Sequence, residues 1–464
     1  MGNPCPRIVV AGAHSGAGKT TTTLALVRAL TERGLKVQTF KVGPDYLDPT
    51  YLQIASGRPC YNLDGWMTGK DYVLDLFTEK ARNADISVIE GVMGLFDGSD
   101  PVNPDGSTAE IAAWLDAPVL LVINVHGMAR SVSALVKGYS EFERNVNVAG
   151  VVTNHCGSER HAHWLGESLK AYGLPPMVAG VPRGAYPQLA GRHLGLVTAD
   201  EGNLSHEVLR ELGDVFERHG SVEDILTMAR SALPPAGTAP VRRKPAEPPR
   251  VRLGLAFDAA FHFYYPDNIE ALERHGCEIV RFSPVNGEAL PDRLDGIYFG
   301  GGYPELYARE LSTNRPMLES VRAFARSGWP IYAECGGLMY LSQGIETTDG
   351  TRFDMAGILP ARTRMLNRLK TLGYVEVTLV RDSLFGKAGT TMRGHEFHYS
   401  ELVGDPAEDP NWSRVYEVRK VRLPTVTLEG YQYGRILAGY MHAHFASRPD
   451  AVEHFVSMCT DVHM

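Results

Sequence analysis

The chain has 464 residues, 44% of them hydrophobic and 22% charged, with a net charge of −8. At roughly 150 residues per domain this allows two or three domains with sizeable cores, and the interspersed, mildly acidic charge offers no footprint for nucleic acid or for a polybasic membrane contact. The longest apolar run, around Pro118 to Val125, is strand-sized, Met1 to Arg7 lack the features of a signal peptide, and the scattered cysteines form no Cys-x-x-Cys pair; a cytoplasmic protein without a disulfide framework or structural zinc is expected.

Arg7 to Gly12 is a buried-strand pattern, and Leu24, Val27 and Leu30 line one side of a helical run closed by Gly34. Between them Gly12, Gly16, Gly18, Lys19 and Thr20 form Gly-x5-Gly-Lys-Thr, a Walker A-like loop with Ala13 where the first glycine usually stands. In such a loop backbone N–H groups cradle phosphates, the lysine reaches the terminal ones and the threonine hydroxyl meets magnesium. A Gly-Lys-Thr in an arbitrary loop carries no such meaning; placement between strand and helix gives it one.

The next strand, Lys36 to Lys41, leads into Val42-Gly43-Pro44-Asp45-Tyr46-Leu47-Asp48, and Asp85 to Glu90 leads into a glycine-punctuated loop ending at Asp97. Ligands bind at the carboxyl ends of strands in open α/β sheets. Asp45 and Glu90 are therefore expected to share a magnesium ion with Thr20 and nucleotide phosphates, although Asp-x-x-Asp beside prolines is also ordinary turn chemistry. Strands at Pro118 to Asn124, Val148 to Asn154 and Met177 to Pro182 complete a doubly wound parallel sheet over 1–232. His161 and His163, two apart on a predicted helix, share no face and read as solvated. Residues 233–250, rich in proline and carrying Arg242-Arg243-Lys244, read as a linker.

A second α/β unit spans 251–464, with strands near Val251 to Phe257, Cys277 to Phe282, Asp295 to Phe299 and Trp329 to Ala333, and an antiparallel β tail from Gly357. The loop from Phe257 to Asn268 is strongly aromatic, as suits a packed interface or a ligand contact. Cys335 stands between two apolar runs and before Gly336 and Gly337, a strand–turn–helix pattern that lifts out a thiol, lowers its pKa and leaves N–H groups for an oxyanion. A cysteine met at random is more often buried and inert. Here Gly300-Gly301-Gly302-Tyr303-Pro304-Glu305 and, later, His442 and His444 raise the chemical reading.

Together these segments, with Arg393-Gly-His-Glu-Phe-His-Tyr-Ser400, resemble the cobyrinic acid a,c-diamide synthase family, glutamine-dependent amidases of corrin side chains, over about Arg7 to Phe455. Amidases of hydrogenobyrinic acid, nickel-sirohydrochlorin and siroheme look similar over the same segments. The resemblance implies an N-terminal P-loop, dethiobiotin-synthetase-like domain and a C-terminal α/β domain of the class I glutamine amidotransferase type. It implies ATP and Mg2+, with glutamine and a carboxylate-bearing tetrapyrrole as substrates, and a homodimer is compatible with it. ATP phosphorylates the carboxylate, and ammonia from glutamine displaces the phosphate. Cys335 is then the nucleophile and His442 its base and later acid, with an oxyanion hole from Gly336, Gly301 and Gly302. Tyr46, Leu47 and Asp97 are implied contacts of the macrocycle or its reacting carboxylate, and Asn154 a reader of adenine.

Many related triads carry a glutamate two residues after the histidine, where this chain has His444. A Cys335–His442 dyad is expected, with His444 a packing or hydrogen-bonding residue, Glu396 the alternative third member, and a metal shared by His442 and His444 disfavoured for want of further ligands. The competing class is a P-loop ATPase switch with an inert C-terminal module. Such switches carry an extra lysine where Ala13-His14 stand, and an inert module has no need of Cys335 and His442 together.

Overall fold

In the computed structural model, which describes residues 5–188, 204–232, 247–421 and 425–460, two units, Met1–Val241 and Arg242–Met464, are built on separate sheets. Most of the expected linker, 233–246, lies outside the described residues.

The first unit alternates strands and helices: β1 (Arg7–Gly12), α1 (Lys19–Glu32), β2 (Val37–Val42), α2 (Leu47–Ser56), β3 (Tyr61–Leu63), α3 (Gly65–Ala81), β4 (Ile86–Gly94), α4 (Thr108–Trp114), β5 (Val119–Asn124), α5 (Ser131–Phe142), β6 (Val148–Cys156), α6 (Glu159–Ala171), β7 (Met177–Pro182), α7 (His206–His219) and α8 (Val222–Arg230). The seven strands lie in the order β3-β2-β4-β1-β5-β6-β7, every neighbour parallel. Helices cover both faces, which is why the central strands are apolar throughout instead of alternating: Val9, Ile89 and Leu121 pack on one side, Ile8, Val88 and Leu120 on the other. The chain leaves β1 in one direction along the sheet and returns to place β5 on its other side, so the carboxyl ends of β4, β1 and β5 open a crevice at a topological switch point. Helices start where their caps stand; the side chains of Asp64, Ser107, Ser158, Ser205 and Ser221 each accept a first-turn N–H. His163 is exposed, but His161 is not the solvated residue expected: its ring accepts the Gly157 N–H at 2.9 Å and bonds the Met128 carbonyl at 2.7 Å, tying α6 to the loop between β5 and α5.

The second unit contains β8 (Val251–Ala256), α9 (Pro266–Arg274), β9 (Cys277–Phe282), β10 (Gly296–Phe299), α10 (Ala308–Thr313), α11 (Arg315–Arg326), β11 (Ile331–Glu334), α12 (Gly336–Leu341), β12 (Gly344–Glu346), β13 (Arg352–Asp354), β14 (Arg362–Met365), β15 (Thr371–Leu379), β16 (Thr391–His398), β17 (Ser400–Val403), β18 (Ser413–Lys420), β19 (Val426–Tyr433), β20 (Ile436–Gly439), β21 (His442–Ala443) and α13 (Pro449–Thr460). Its ten-stranded sheet runs β21-β16-β15-β18-β19-β20-β11-β10-β8-β9. From β20 to β9 it is parallel, and from β21 to β20 antiparallel. The tail therefore extends the parallel sheet through β20 instead of standing apart. The short β21 pairs back on β16, setting His442 opposite His395. The aromatic loop packs within its own unit: Phe261 contacts Phe299 and Tyr340, and the Tyr264 hydroxyl donates to Ala256 O and accepts the Gly300 N–H at 2.8 Å. Among the described residues no helix is long and apolar enough to cross a membrane.

Candidate active site

Two constellations occur, one in each unit. In the first, Gly16 and Gly18 take φ of +81° and +95°, which only glycine adopts without strain. A Cβ on Gly18 would also collide with the Asn154 amide, whose Nδ2 donates to Ala17 O at 3.3 Å. Asn154 thus lies directly beneath the loop. The Tyr139 hydroxyl donates to Ala13 O from the other side. The Lys19 ammonium, largely buried, bonds Met93 O at 2.5 Å; burial and then the neighbouring Lys41 hold its pKa below the usual value.

The Thr20 hydroxyl donates to Glu90 Oε1 at 2.8 Å and approaches Asp48 Oδ2 at 3.5 Å. Lys41, fully enclosed in β2, bonds Asp48 at 2.7 Å, Glu90 at 2.9 Å and Gly91 O at 3.1 Å. Burial alone would pull the Lys41 ammonium down, but Asp48, Glu90 and Asp45 together hold it well above its ordinary value. Burial pushes Glu90 up to about 7 against the pull of Lys41, and burial with Asp48 pushes Asp45 up to about 6. Asp45 spends Oδ1 on the first N–H groups of α2, at 2.8 Å from Leu47 and 3.0 Å from Asp48, and its other oxygen lies 3.8 Å from Lys41. Asp48, not singled out as a ligand from sequence, is thus the carboxylate of this segment that reaches Thr20. The Asn62 amide pins the segment by bonding Gly43 O and Asp45 O, each at 2.8 Å. Among the described residues Glu90 Oε2 has no hydrogen-bond partner, and together with the Thr20 hydroxyl and Asp48 it forms an oxygen donor set that suits a hard divalent cation. Tyr46 is buried at the start of α2, Leu47 is half-buried, and the exposed Asp97 accepts the Gly94 N–H at 2.8 Å in the loop after β4.

In the second unit Cys335 stands between β11 and α12 with φ +46° and ψ −98°, a strained conformation for a residue with a side chain. Its backbone N–H is held by Gly439 O at 2.8 Å. The glycine loop after β10 packs on this turn: a Cβ on Gly336 would meet Gly302 N and Pro304 Cδ at 3.1 Å, and one on Gly301 would collide with the His442 ring. Gly301 and Gly302 are therefore sandwiched between the residue after the thiol and the imidazole. The Cys335 Sγ lies 3.8 Å from Phe397 O of β16, the strand that pairs with β21. The low thiol pKa expected of the turn is not found. Burial pushes Cys335 well up, the Glu305 carboxylate adds to this, and the Gly336 N–H opposes it. A thiol held this high stays protonated at neutral pH.

His442 is buried, and burial pulls its ring down to about 3; it stacks on His395 with centroids 5.0 Å apart. His444 sits 3.5 Å from Asp267 and accepts the Ala446 N–H at 3.3 Å. Glu396, the alternative third member, is salt-bridged to Lys420 at 2.9 Å and makes no ion pair with His442. The carboxylate that does approach His442 is Glu334, with Oε2 3.9 Å from Nδ1. A glutamate at the buried end of a strand, directly before a cysteine turn, is the signal in the sequence that marks it.

Comparison with known proteins matches each unit to a domain family. Residues 8–185 match the model of the CobQ/CobB/MinD/ParA nucleotide binding domain, and residues 252–450 that of the CobB/CobQ-like glutamine amidotransferase domain. The chain is 56% identical over 455 residues to the cobyrinate a,c-diamide synthase of Syntrophotalea carbinolica, covering 98% of this chain and 99% of that one. It is 46% identical to the protein of the same name from Leptospira interrogans, with 98% of each covered, and 42% identical to that from Salmonella typhimurium, with 97% of each covered. An ATP-binding unit and a glutamine amidotransferase unit share one chain, and the chain belongs to the cobyrinate a,c-diamide synthase family.

Proposed function

We propose that this protein converts the a and c carboxylates of cobyrinic acid into primary amides, with ATP activating each carboxylate and glutamine supplying the nitrogen. The observation that carries this reading is the full-length identity to cobyrinate a,c-diamide synthases in a chain that holds both the Gly12 to Thr20 loop and the Cys335 turn.

A carboxylate and ammonia do not condense in water, so the carboxylate is first phosphorylated. The N–H groups of the loop and the Lys19 ammonium hold the phosphates and offset the charge that moves onto them. The substrate carboxylate oxygen displaces ADP from the terminal phosphorus, and ammonia then displaces phosphate from the acyl carbon. Thr20, Glu90 and Asp48 would hold Mg2+, which when bound draws charge from the phosphate oxygens. Tyr46, Leu47 and Asp97 would contact the macrocycle, and Asn154, beneath Gly18, would reach the base. The chemistry belongs in the cytoplasm, where ATP is found and where six free cysteines persist.

Cys335 attacks the glutamine side-chain carbonyl as His442 takes the thiol proton. The Gly336 N–H, with Gly301 and Gly302, faces the developing oxyanion. The deciding assay supplies ATP, magnesium, glutamine and, separately, cobyrinic acid, hydrogenobyrinic acid, nickel-sirohydrochlorin and siroheme, and counts added amides by mass spectrometry. Two amides on cobyrinic acid are expected; none there with product on another macrocycle would replace the substrate. Cys335→Ala should lose synthesis from glutamine and retain it from ammonium salt, whereas Lys19→Ala should lose both.

A further inference from the structure

The two strands that carry the thiol and the imidazole are tied together by one side chain. Glu334 is the last residue of β11, directly before Cys335, and its side chain is buried. Its Oε1 accepts the backbone N–H of Ala443, the residue after His442, at 3.0 Å, and the Tyr332 hydroxyl at 2.5 Å. Its Oε2 accepts the Tyr298 hydroxyl at 2.8 Å and lies 3.9 Å from His442 Nδ1. Its one ion pair among the described residues is the contact with His442. Every donor around it favours a carboxylate over an acid. We infer that Glu334 is the third member of the cysteine site, a positioning residue that orients His442 through Nδ1 and offsets the imidazolium formed when the ring takes the Cys335 proton. This rests on the proposed roles of Cys335 and His442.

The chemistry explains why such a group is needed. As the Sγ–C bond to glutamine forms, the carbonyl π electrons move to oxygen and the thiol proton passes to His442 Nε2. The ring returns that proton to the departing nitrogen as the C–N bond breaks, so ammonia leaves and a thioester remains. Water then adds with its proton again carried by His442, which delivers it to the sulfur as glutamate is released. In both halves the ring is briefly cationic inside a buried site. His395, stacked on it, and His398 both disfavour a second positive charge there. On the Glu334 side the titratable neighbours are Tyr298, Tyr332, Tyr264, Tyr416 and Cys335, none of which supplies a negative charge at neutral pH. Burial pushes the Glu334 carboxyl up to about 7, against its three hydrogen bonds, so its ionisation falls in the working range.

A purely structural Glu334 would anchor Ala443 and nothing more, and Glu334→Gln, of the same size and still an acceptor, would then be silent in kinetics. The inference expects this variant to lose roughly ten- to hundredfold in glutamine-dependent kcat, with KM for glutamine within about twofold, as for loss of a group that stabilises the charged histidine. Synthesis from ammonium salt should be unchanged. The glutamine-dependent rate of the wild type is expected to rise with pH near 7, and this limb should be absent in Glu334→Gln and kept in Glu334→Asp, which retains the charge. A Gln variant with wild-type kcat and an unaltered pH profile overturns the inference, as does an Asp variant no faster than the Gln variant. If Glu334→Gln also loses ammonia-driven synthesis, marking misfolding, the Asp variant decides: the pH limb present supports the role and its absence overturns it. Cys335→Ala separates the two levels, since persistence of glutamine-driven synthesis in that variant would remove the underlying assignment, whereas its loss alongside a fully active Glu334→Gln would remove only Glu334.

Discussion

Glu334 and His442 carry opposite pH signatures, and these can be measured without turnover. Glu334 is raised from its ordinary 4.5 to about 7, so the stability it gives by staying protonated is complete below 4.5 and is lost as pH rises to 7. His442 is lowered from 6.5 to about 3, so the stability of its neutral ring is complete above 6.5 and is lost as pH falls toward 3. Between 4.5 and 6.5 the two slopes, each about 1.4 kcal/mol per pH unit, oppose one another. Glu334→Gln removes one of them. Relative to wild type, the variant should therefore lose unfolding free energy as pH is lowered from 6.5 to 4.5, which denaturant titrations at three pH values would reveal; parallel curves would show that Glu334 titrates as an ordinary carboxyl. A second comparison concerns Asp45 and Asp48, three residues apart. Asp48 reaches Thr20 and Lys41, whereas Asp45 caps α2. Asp48→Asn should thus raise the magnesium concentration needed for ammonia-driven synthesis, and Asp45→Asn should lower the melting temperature more than it changes that requirement.

At the level of elements, what was legible in the sequence was what chain-local physics decides. The strand-to-loop-to-helix passage around Lys19 and the turn at Cys335 declare themselves through apolar runs broken by glycine, and the parallel strands through unbroken valine and isoleucine. What stayed hidden depends on register between distant segments. β20 lies beside β11, pairing Glu334 with Gly439, and β21 sets His442 opposite His395 of β16; no local pattern encodes either pairing. The same holds for Asp48, whose direction is set by where α2 begins, and for the thiol pKa, which a helix-terminus argument lowers but burial by the surrounding strands raises. The loop after β10 offers a test of this packing. Gly301 is glycine because the imidazole occupies the place of a side chain. Gly301→Ala should displace His442 and cut glutamine-dependent kcat by about tenfold or more, as for misplacement of a general base, while leaving ammonia-driven synthesis intact. Normal glutamine-dependent rates in that variant would show that the ring can shift freely.

For the molecule as a whole, each unit buries its own apolar clusters: Val9, Phe40, Leu120 and Phe216 belong to the first, Phe261, Leu338, Tyr416 and Phe455 to the second. The contacts described above for the Gly12 to Thr20 loop are made by residues of the first unit, and those described for the Cys335 turn by residues of the second. A ligand that binds one folded unit stabilises that unit by RT ln(1 + [L]/Kd), about 2.7 kcal/mol at a hundredfold excess over Kd. Calorimetry should accordingly resolve two transitions. ATP with magnesium should raise one of them, and a glutamine analogue that alkylates Cys335 should raise the other. Lys19→Ala should abolish the first shift and leave the second, and Cys335→Ala should do the reverse. A single transition moved by both ligands would instead show that the two cores unfold together, and the separation of amide synthesis from glutamine hydrolysis would then be one of chemistry and not of folding.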